Sequence, residues 1–153
     1  MIWRKNKKEN QAKATYPIRS VTIDELRQAI RQYGDQLHSN VPLSVIIKDD
    51  LTLDYSLLAP FLKCIPQETY YMSKETYELF PESQKQLAMD LDLIQRAVDQ
   101  YIEQTKEVPV IDGDPYEKVS YFKLEKLNLL PRRPDQAFYI TDEEFLVTYT
   151  KPK

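Results

Sequence analysis

The feature that most constrains this chain is an internal similarity between stretches of sequence 68 positions apart. Residues 23–33 (IDELRQAIRQY) align with residues 91–101 (LDLIQRAVDQY) at this spacing. The same spacing aligns residues 61–77 with residues 129–145, where proline, tyrosine and glutamate recur at matching positions. Self-similarity at a fixed period is the sequence signature of a repeated structural unit. We therefore interpret the chain as a tandem duplication.

The two repeats, residues 22–80 and 90–148, predict an α+β fold. Each reads as a helix, an extended segment, a second helix and an aromatic β-strand or hairpin, judged from apolar periodicity and turn residues. A unit of about 60 residues buries a smaller share of its surface than a larger domain does. We therefore predict that the two pseudo-symmetric repeats pack into a single domain over residues 16–153. Residues 1–15 are predicted to form a flexible basic arm.

The first repeat opens with a clear helix signal and continues with weaker ones. Thr22 and Glu25 have the spacing of a capping box. Gly34 is a suitable residue to end the helix that follows, which stops there or frays to Leu37. Residues 42–47 are rich in β-branched side chains and predict a strand. For residues 74–80 the sequence leaves strand and short helix open. Two further segments read as a short helix, residues 55–64, and as an aromatic strand, residues 69–72.

The second repeat centres on a long helix, predicted from about Ser83 to Lys106. Its apolar stripe includes Ala97, which matches an alanine of the first repeat and predicts a close helix approach. The polar residues off that stripe are predicted to face solvent; they are Asp90, Gln95, Asp99 and Glu103. Beyond this helix we predict a second helix over 119–127 that ends at Asn128, and a hairpin formed by 137–141 and 145–150.

Composition and charge narrow the functional classes. The single cysteine allows no intramolecular disulfide, which points to a reducing, cytoplasmic setting. Two glycines are too few for a glycine-rich phosphate loop, and no apolar run is long enough to cross a bilayer. Residues 1–14 carry a net charge of +4, so the remaining body carries −7. No nucleic-acid partner is expected, because such binding depends on neutralising phosphates.

Candidate catalytic and metal-binding residues are few. His38 is the only histidine and falls at a helix end, where the helix dipole explains it. Cys64 lies among apolar residues and is predicted to be a buried thiol. Asp112 and Asp114 flank Gly113 as at the start of a calcium loop, but the later ligand positions of that loop are not acidic. We therefore assign no catalytic residue, cofactor or metal ligand.

Two groups of residues are candidates for binding. Tyrosine and arginine are enriched where protein interfaces contribute most to affinity, and arginine pairs well with carboxylate or phosphate. The predicted interaction surface consists of Arg132, Arg133, Tyr116, Tyr121 and Tyr55. The basic arm also predicts weak contact with an anionic membrane surface, through Trp3, Arg4, Lys5, Lys7 and Lys8.

The run VPVIDGDPYEKVSYFKLEKLNLLPRRPDQAFYITDEEFLVT, together with DLDLIQRAVDQY, resembles an uncharacterised family of small proteins from Bacillus and its relatives. That family is a domain of unknown function. The resemblance implies a Gram-positive bacterial source and supplies no substrate, cofactor or catalytic residue.

These observations favour a non-catalytic binding or accessory protein in the cytoplasm that acts through contacts with a protein partner of unknown identity. The missing catalytic constellations favour a protein that is not an enzyme, while leaving activity undecided. Two alternatives stay open: an enzyme of an unrecognised class, and a peripheral membrane-associated protein that uses the basic arm. The oligomeric state cannot be read from the sequence.

Overall fold

A computed structural model describes residues 16–151, which divide into two compact units. The first unit comprises the described residues up to Met72 together with Leu79–Gln84. The second comprises Ser73–Glu78 and residues 85–151. Both contain helices and short strands, so the predicted α+β class is confirmed. The single domain over 16–153 stays a prediction.

The first helix, α1 (Ile23–Asp35), begins where the capping box was predicted. The Thr22 side chain accepts a hydrogen bond from the backbone N–H of Glu25, whose carboxylate accepts from the backbone N–H of Thr22. The helix ends within the predicted range from Gly34 to Leu37, although Gly34 lies in its last turn and not beyond its end. The backbone N–H of Gln36 bonds the carbonyl of Tyr33 at 3.1 Å, so the last turn closes without a left-handed glycine.

The strand predicted over residues 42–47 is wrong. Pro42 instead precedes a 3-10 helix over Leu43–Ile46. The backbone N–H of Val45 bonds the carbonyl of Pro42 at 3.2 Å, and Ile46 is fully buried. Burial of this side chain in a turn overrides the strand preference of β-branched residues, which is strongly context-dependent.

The rest of the first unit follows the predicted order. Helix α2 (Tyr55–Leu62) begins after Asp54, whose carboxylate caps it, and ends at Lys63 in the left-handed region with φ of 59°. Two pairs of short strands accompany it. Strand β1 (Ile18–Arg19) runs parallel to β2 (Ile65–Pro66), and β3 (Tyr70–Met72) runs antiparallel to β4 (Leu79–Pro81). In the undecided stretch 74–80, residues 74–76 form a turn and residues 79–80 belong to β4.

The second unit is built on a 21-residue helix, α3 (Lys85–Thr105). Its predicted apolar stripe is buried, including Leu91, Ile94 and Ala97. The solvent-facing prediction is wrong for Asp90 and Gln95, which are 5% and 4% exposed. Both side chains are buried because residues distant in sequence supply hydrogen-bond partners: Arg132 for Asp90 and Val147 for Gln95.

The remainder of the second unit is a short helix and a hairpin. Helix α4 (Tyr121–Lys126) starts after Ser120, whose hydroxyl accepts from the backbone N–H of Lys123, so the helix is shorter than predicted. Asn128 has φ of 59°, which confirms the predicted left-handed terminator. The predicted hairpin is confirmed as β5 (Tyr139–Ile140) paired antiparallel with β6 (Val147–Thr148).

We expect Ala97→Leu to lower the free energy of unfolding by about 1–3 kcal/mol, because extra methylene groups in a filled core force neighbouring side chains to shift. Ala97 is buried in α3, whereas Gln100 on the same helix is exposed. Urea denaturation of Ala97→Leu and of the control Gln100→Leu measures the difference. Equal midpoints for the two variants would show that Ala97 does not contact a filled core.

Candidate functional site

Asp92 on α3 is a buried carboxylate that holds the turn after β3. It is 2% exposed and accepts a short hydrogen bond from the hydroxyl of Ser73. It also accepts from the backbone N–H groups of Lys74 at 3.0 Å and Glu75 at 3.4 Å. Charge-assisted bonds of this kind are among the stronger hydrogen bonds in proteins. Asp92 therefore fixes the start of the segment Ser73–Glu78.

Gln95, one helical turn after Asp92, holds the hairpin of the same unit. Its side-chain oxygen accepts from the backbone N–H of Val147 at 2.7 Å. Its side-chain nitrogen donates to the carbonyl of Phe145 at 3.3 Å and to the carboxylate of Asp99 at 3.0 Å. Both functional groups of the amide are thus satisfied inside the unit, which indicates a structural role.

The predicted arginine pair is engaged by carboxylates of the chain itself. The guanidinium of Arg132 donates to buried Asp90 at 2.7 Å, and the amide of Gln86 donates to the same carboxylate oxygen at 3.0 Å. Arg133 makes two bonds to Glu125, at 3.0 and 2.6 Å. The two residues thus use in their own unit the recognition chemistry that the sequence analysis predicted for a partner.

The predicted tyrosines divide between the two units. Tyr55 lies in the first unit, where its hydroxyl donates to the carbonyl of Glu68 at 2.8 Å. Tyr121 lies in the second unit and donates to the carbonyl of Gln136 at 2.6 Å. Tyr116 is exposed, and the ammonium of Lys151 lies 4.2 Å from the centre of its ring. Tyr55 and Tyr121 therefore stabilise loops of their own units.

Tyr121 gives the second unit a dependence on alkaline pH. Burial, and then the negative charge of Asp90, raises the pKa of Tyr121 to about 12. A tyrosine with a raised pKa stabilises the folded state below its ordinary pKa of 10.0, and this contribution is lost as pH rises through about 12.

We expect Tyr121→Phe to cost about 1 kcal/mol at neutral pH through loss of its hydrogen bond. The gap between the two proteins should narrow as the pH rises from 10 toward 12, because the hydroxyl of the unfolded wild-type chain ionises in this range while that of the folded protein stays protonated. Urea unfolding of both proteins across this range measures the gap. A gap that stays constant up to pH 12 would contradict the assignment.

An apolar surface of the second unit was not predicted from the sequence. Phe122, in the first turn of α4, is 65% exposed, and Ile111 is 42% exposed. Leu127, just after α4, is also exposed. These three residues are called the Phe122 patch below. The spacing around α4 contained the signal: Phe122 and Leu124 are two positions apart and cannot share a helix face, so buried Leu124 leaves Phe122 outside.

Two open concavities border the Phe122 patch, and both are lined by Ile111 and Phe122. One has a volume of about 460 Å³ and is also lined by Lys118 and Arg133. The other has a volume of about 620 Å³ and continues along Leu127 and two lysines of α4. Volumes of this size accommodate side chains or a small ligand. The exposed ring of Phe122 thus borders both concavities, which could receive side chains of a partner protein.

A third concavity of about 610 Å³ is acidic. Its lining includes Glu75, Asp99, Asp142, Glu143 and Glu144. Burial, then the charge of Asp92, raises the pKa of Glu75, while Arg96 at 3.9 Å opposes the shift. Within residues 16–151, no group of three or more histidine, cysteine or acidic side chains is arranged to hold a metal ion.

The remaining predicted residues add no chemistry to these surfaces. Cys64 is fully buried, which confirms the predicted buried thiol, and His38 is exposed at the end of α1. Trp3, Arg4, Lys5, Lys7 and Lys8 lie outside the described residues. In the part of the chain that the structure describes, no helix combines the length and apolarity needed to cross a membrane.

Residues 16–149 match a protein family described as "Protein of unknown function (DUF3939)". The chain belongs to this family. The match confirms the predicted membership of an uncharacterised family, while the Bacillus source stays a prediction. No curated protein and no solved structure matched the chain. Membership of DUF3939 supplies no activity.

Proposed function

We propose that this DUF3939 protein is a non-catalytic binding protein of the cytoplasm, and that the Phe122 patch is its contact surface for a partner protein. The observation that carries the proposal is the 65% exposure of Phe122 on a helix whose backbone is held at both ends. Ser120 caps the start of α4, and the backbone N–H of Leu129 bonds the carbonyl of Leu124 beyond its end. An aromatic ring on a pre-organised backbone can bind with little loss of conformational entropy.

Comparison of the two short helices supports a binding role for Phe122, given the proposed duplication. At a spacing of 66 positions, Asp54 and Ser120 are both helix caps. At the same spacing, Leu58 and Leu124 are both fully buried. The position of Phe122 then corresponds to Ser56, which is exposed. A helix of this kind therefore needs no aromatic residue at that position.

Equivalent hydrogen bonds and strand pairings in the two units support the duplication itself. The hydroxyls of Tyr55 and Tyr121 donate to the carbonyls of Glu68 and Gln136. The hairpins repeat as well, with Tyr71 opposite Phe80 in the first unit and Tyr139 opposite Thr148 in the second. Met72 and Ile140, 68 positions apart, donate their N–H groups to the carbonyls of Leu51 and Glu117. Repeats over 22–80 and 90–148 account for these pairs because equivalent sequences favour equivalent hydrogen bonds.

Site-specific photo-crosslinking in the native cells tests the proposed surface. A benzophenone analogue of phenylalanine replaces Phe122 in one protein and Met89, an exposed residue of α3, in the control. We expect discrete protein adducts from position 122 that the control does not form. Adding Ile111→Ser to the first protein should remove them, because it deletes a neighbouring part of the surface. The same adducts from both positions, or none from position 122, would refute the proposal.

A further inference from the structure

We infer that the partner presents to the Phe122 patch an apolar side chain flanked by acidic residues. This inference rests on the proposed function and adds the chemical class of the partner. The two concavities beside Phe122 are lined by four basic side chains: Lys118, Lys123, Lys126 and Arg133. Two acidic side chains, Asp112 and Asp135, accompany them. Basic side chains therefore outnumber acidic ones around the Phe122 patch.

These basic side chains contrast with the net charge of the described residues. Residues 16–151 contain 15 lysines and arginines against 23 aspartates and glutamates, which is a net charge of −8. Complementary charge steers association and disfavours wrong partners. A locally basic, apolar surface within an acidic range of residues selects a partner segment with the opposite charge.

Two lysines are available to pair with the partner's carboxylates. Lys123 already contacts Asp112 at 2.9 Å, and Arg133 is held by Glu125. Across the described range 16–151, neither Lys118 nor Lys126 takes part in an ion pair. An ammonium group that none of the ion pairs within residues 16–151 engages can form a charge pair without first giving up one of them.

The positions of these lysines define the order of groups in the partner. Lys126 follows Phe122 by four positions on α4, so the ring and the ammonium group lie on one helix face. Lys118 lines the smaller concavity together with Ile111 and Phe122. An apolar side chain seated at Phe122 would thus have a basic group in each adjoining concavity. The matching sequence is an aromatic or large aliphatic residue with aspartate or glutamate on both sides.

Peptide selection tests the inference without a known partner. A phage library of random linear peptides is selected on the full chain and counter-selected on Phe122→Ser. This variant gives position 122 the same residue type as Ser56, which occupies the corresponding position of the first short helix. We expect the enriched peptides to share an apolar residue flanked by acidic ones. A synthetic consensus peptide should bind Lys126→Glu about tenfold more weakly than wild type, which is the effect of about 1.4 kcal/mol.

The control carries the same charge reversal elsewhere. Lys48→Glu changes an exposed lysine of the first unit and should leave the affinity of the peptide unchanged. A consensus that depends on Phe122 but is basic or uncharged would overturn the acidic class and leave the proposed function standing. Absence of any Phe122-dependent enrichment, or a dimer of the chain that Phe122→Ser abolishes, would also overturn the inference. Cross-linking at position 122 decides the proposed function separately.

Discussion

Replacing Asp92 by alanine should lower the free energy of unfolding by about 3 kcal/mol. The substitution removes a buried carboxylate that accepts from the Ser73 hydroxyl and from the backbone N–H groups of Lys74 and Glu75. The Ser73 hydroxyl and the N–H of Lys74 would then lose this acceptor, and the N–H of Glu75 would keep only its bond to the Ser73 hydroxyl at 3.2 Å. Chemical denaturation measures the loss of stability, and amide hydrogen exchange at Lys74 and Glu75 measures the local opening of the turn.

Two further variants separate the hydrogen bonds of Asp92 from general effects on α3. Asp92→Asn keeps one acceptor oxygen and should therefore cost less than Asp92→Ala. Its new N–H₂ group faces donors at only one of the two positions that the carboxylate oxygens occupied. Glu103→Ala changes an exposed carboxylate on the same helix and should stay within about 0.5 kcal/mol of wild type. If Asp92→Ala were as stable as Glu103→Ala and amide exchange at Lys74 and Glu75 were unchanged, Asp92 would not be the residue that holds the turn.

Arg132→Ala should lower the free energy of unfolding by about 2 kcal/mol, while Arg133→Ala should lower it by less than about 1 kcal/mol. The two arginines are neighbours of one type, but their partners differ. Arg132 pairs with Asp90, whose side chain is 7% exposed, whereas Arg133 pairs with Glu125, whose side chain is 37% exposed. Removing Arg132 leaves a buried carboxylate short of a positive charge, and removing Arg133 leaves one that water can reach.

A double-mutant cycle with Asp90→Ala identifies the pair as the cause. Because Arg132 and Asp90 contact each other, the double variant should be more stable than the two single losses predict. Urea denaturation of the four proteins provides the coupling energy. Strictly additive losses, or equal losses for Arg132→Ala and Arg133→Ala, would show that the pair of Arg132 with buried Asp90 does not stabilise the second unit and that Arg132 is available to a partner.

Predictions from the sequence succeeded where the deciding contacts lie close together along the chain. The capping box of Thr22 and Glu25 spans three positions, and the apolar stripe around Ala97 repeats within one helix. Asn128 ends its helix because asparagine tolerates the left-handed region. Each of these features depends on side-chain chemistry and local backbone geometry, which any reader of the sequence can evaluate.

The candidate binding surface could be predicted only in part. Tyr121 was predicted as part of an interaction surface and lines one of the concavities beside Phe122, but its hydroxyl contacts the carbonyl of Gln136, 15 positions away. Phe122, the next residue, was not predicted, since an apolar side chain in a helix can face either the core or solvent. Only the burial of Leu124 and the exposure of Phe122 distinguish the two.

By itself the sequence determined the α+β class, the main helices, the hairpin of the second unit and membership of a family of unknown function. Tertiary structure decided the 3-10 helix over Leu43–Ile46, the burial of Asp90 and Gln95, and the exposure of Phe122. The physical reason is the distance to the partner groups. Asp90 is bonded by a residue 42 positions away, and Gln95 by residues 50 and 52 positions away. A polar residue on a helix is buried when a distant loop supplies its hydrogen bonds, and local periodicity carries no information about that loop.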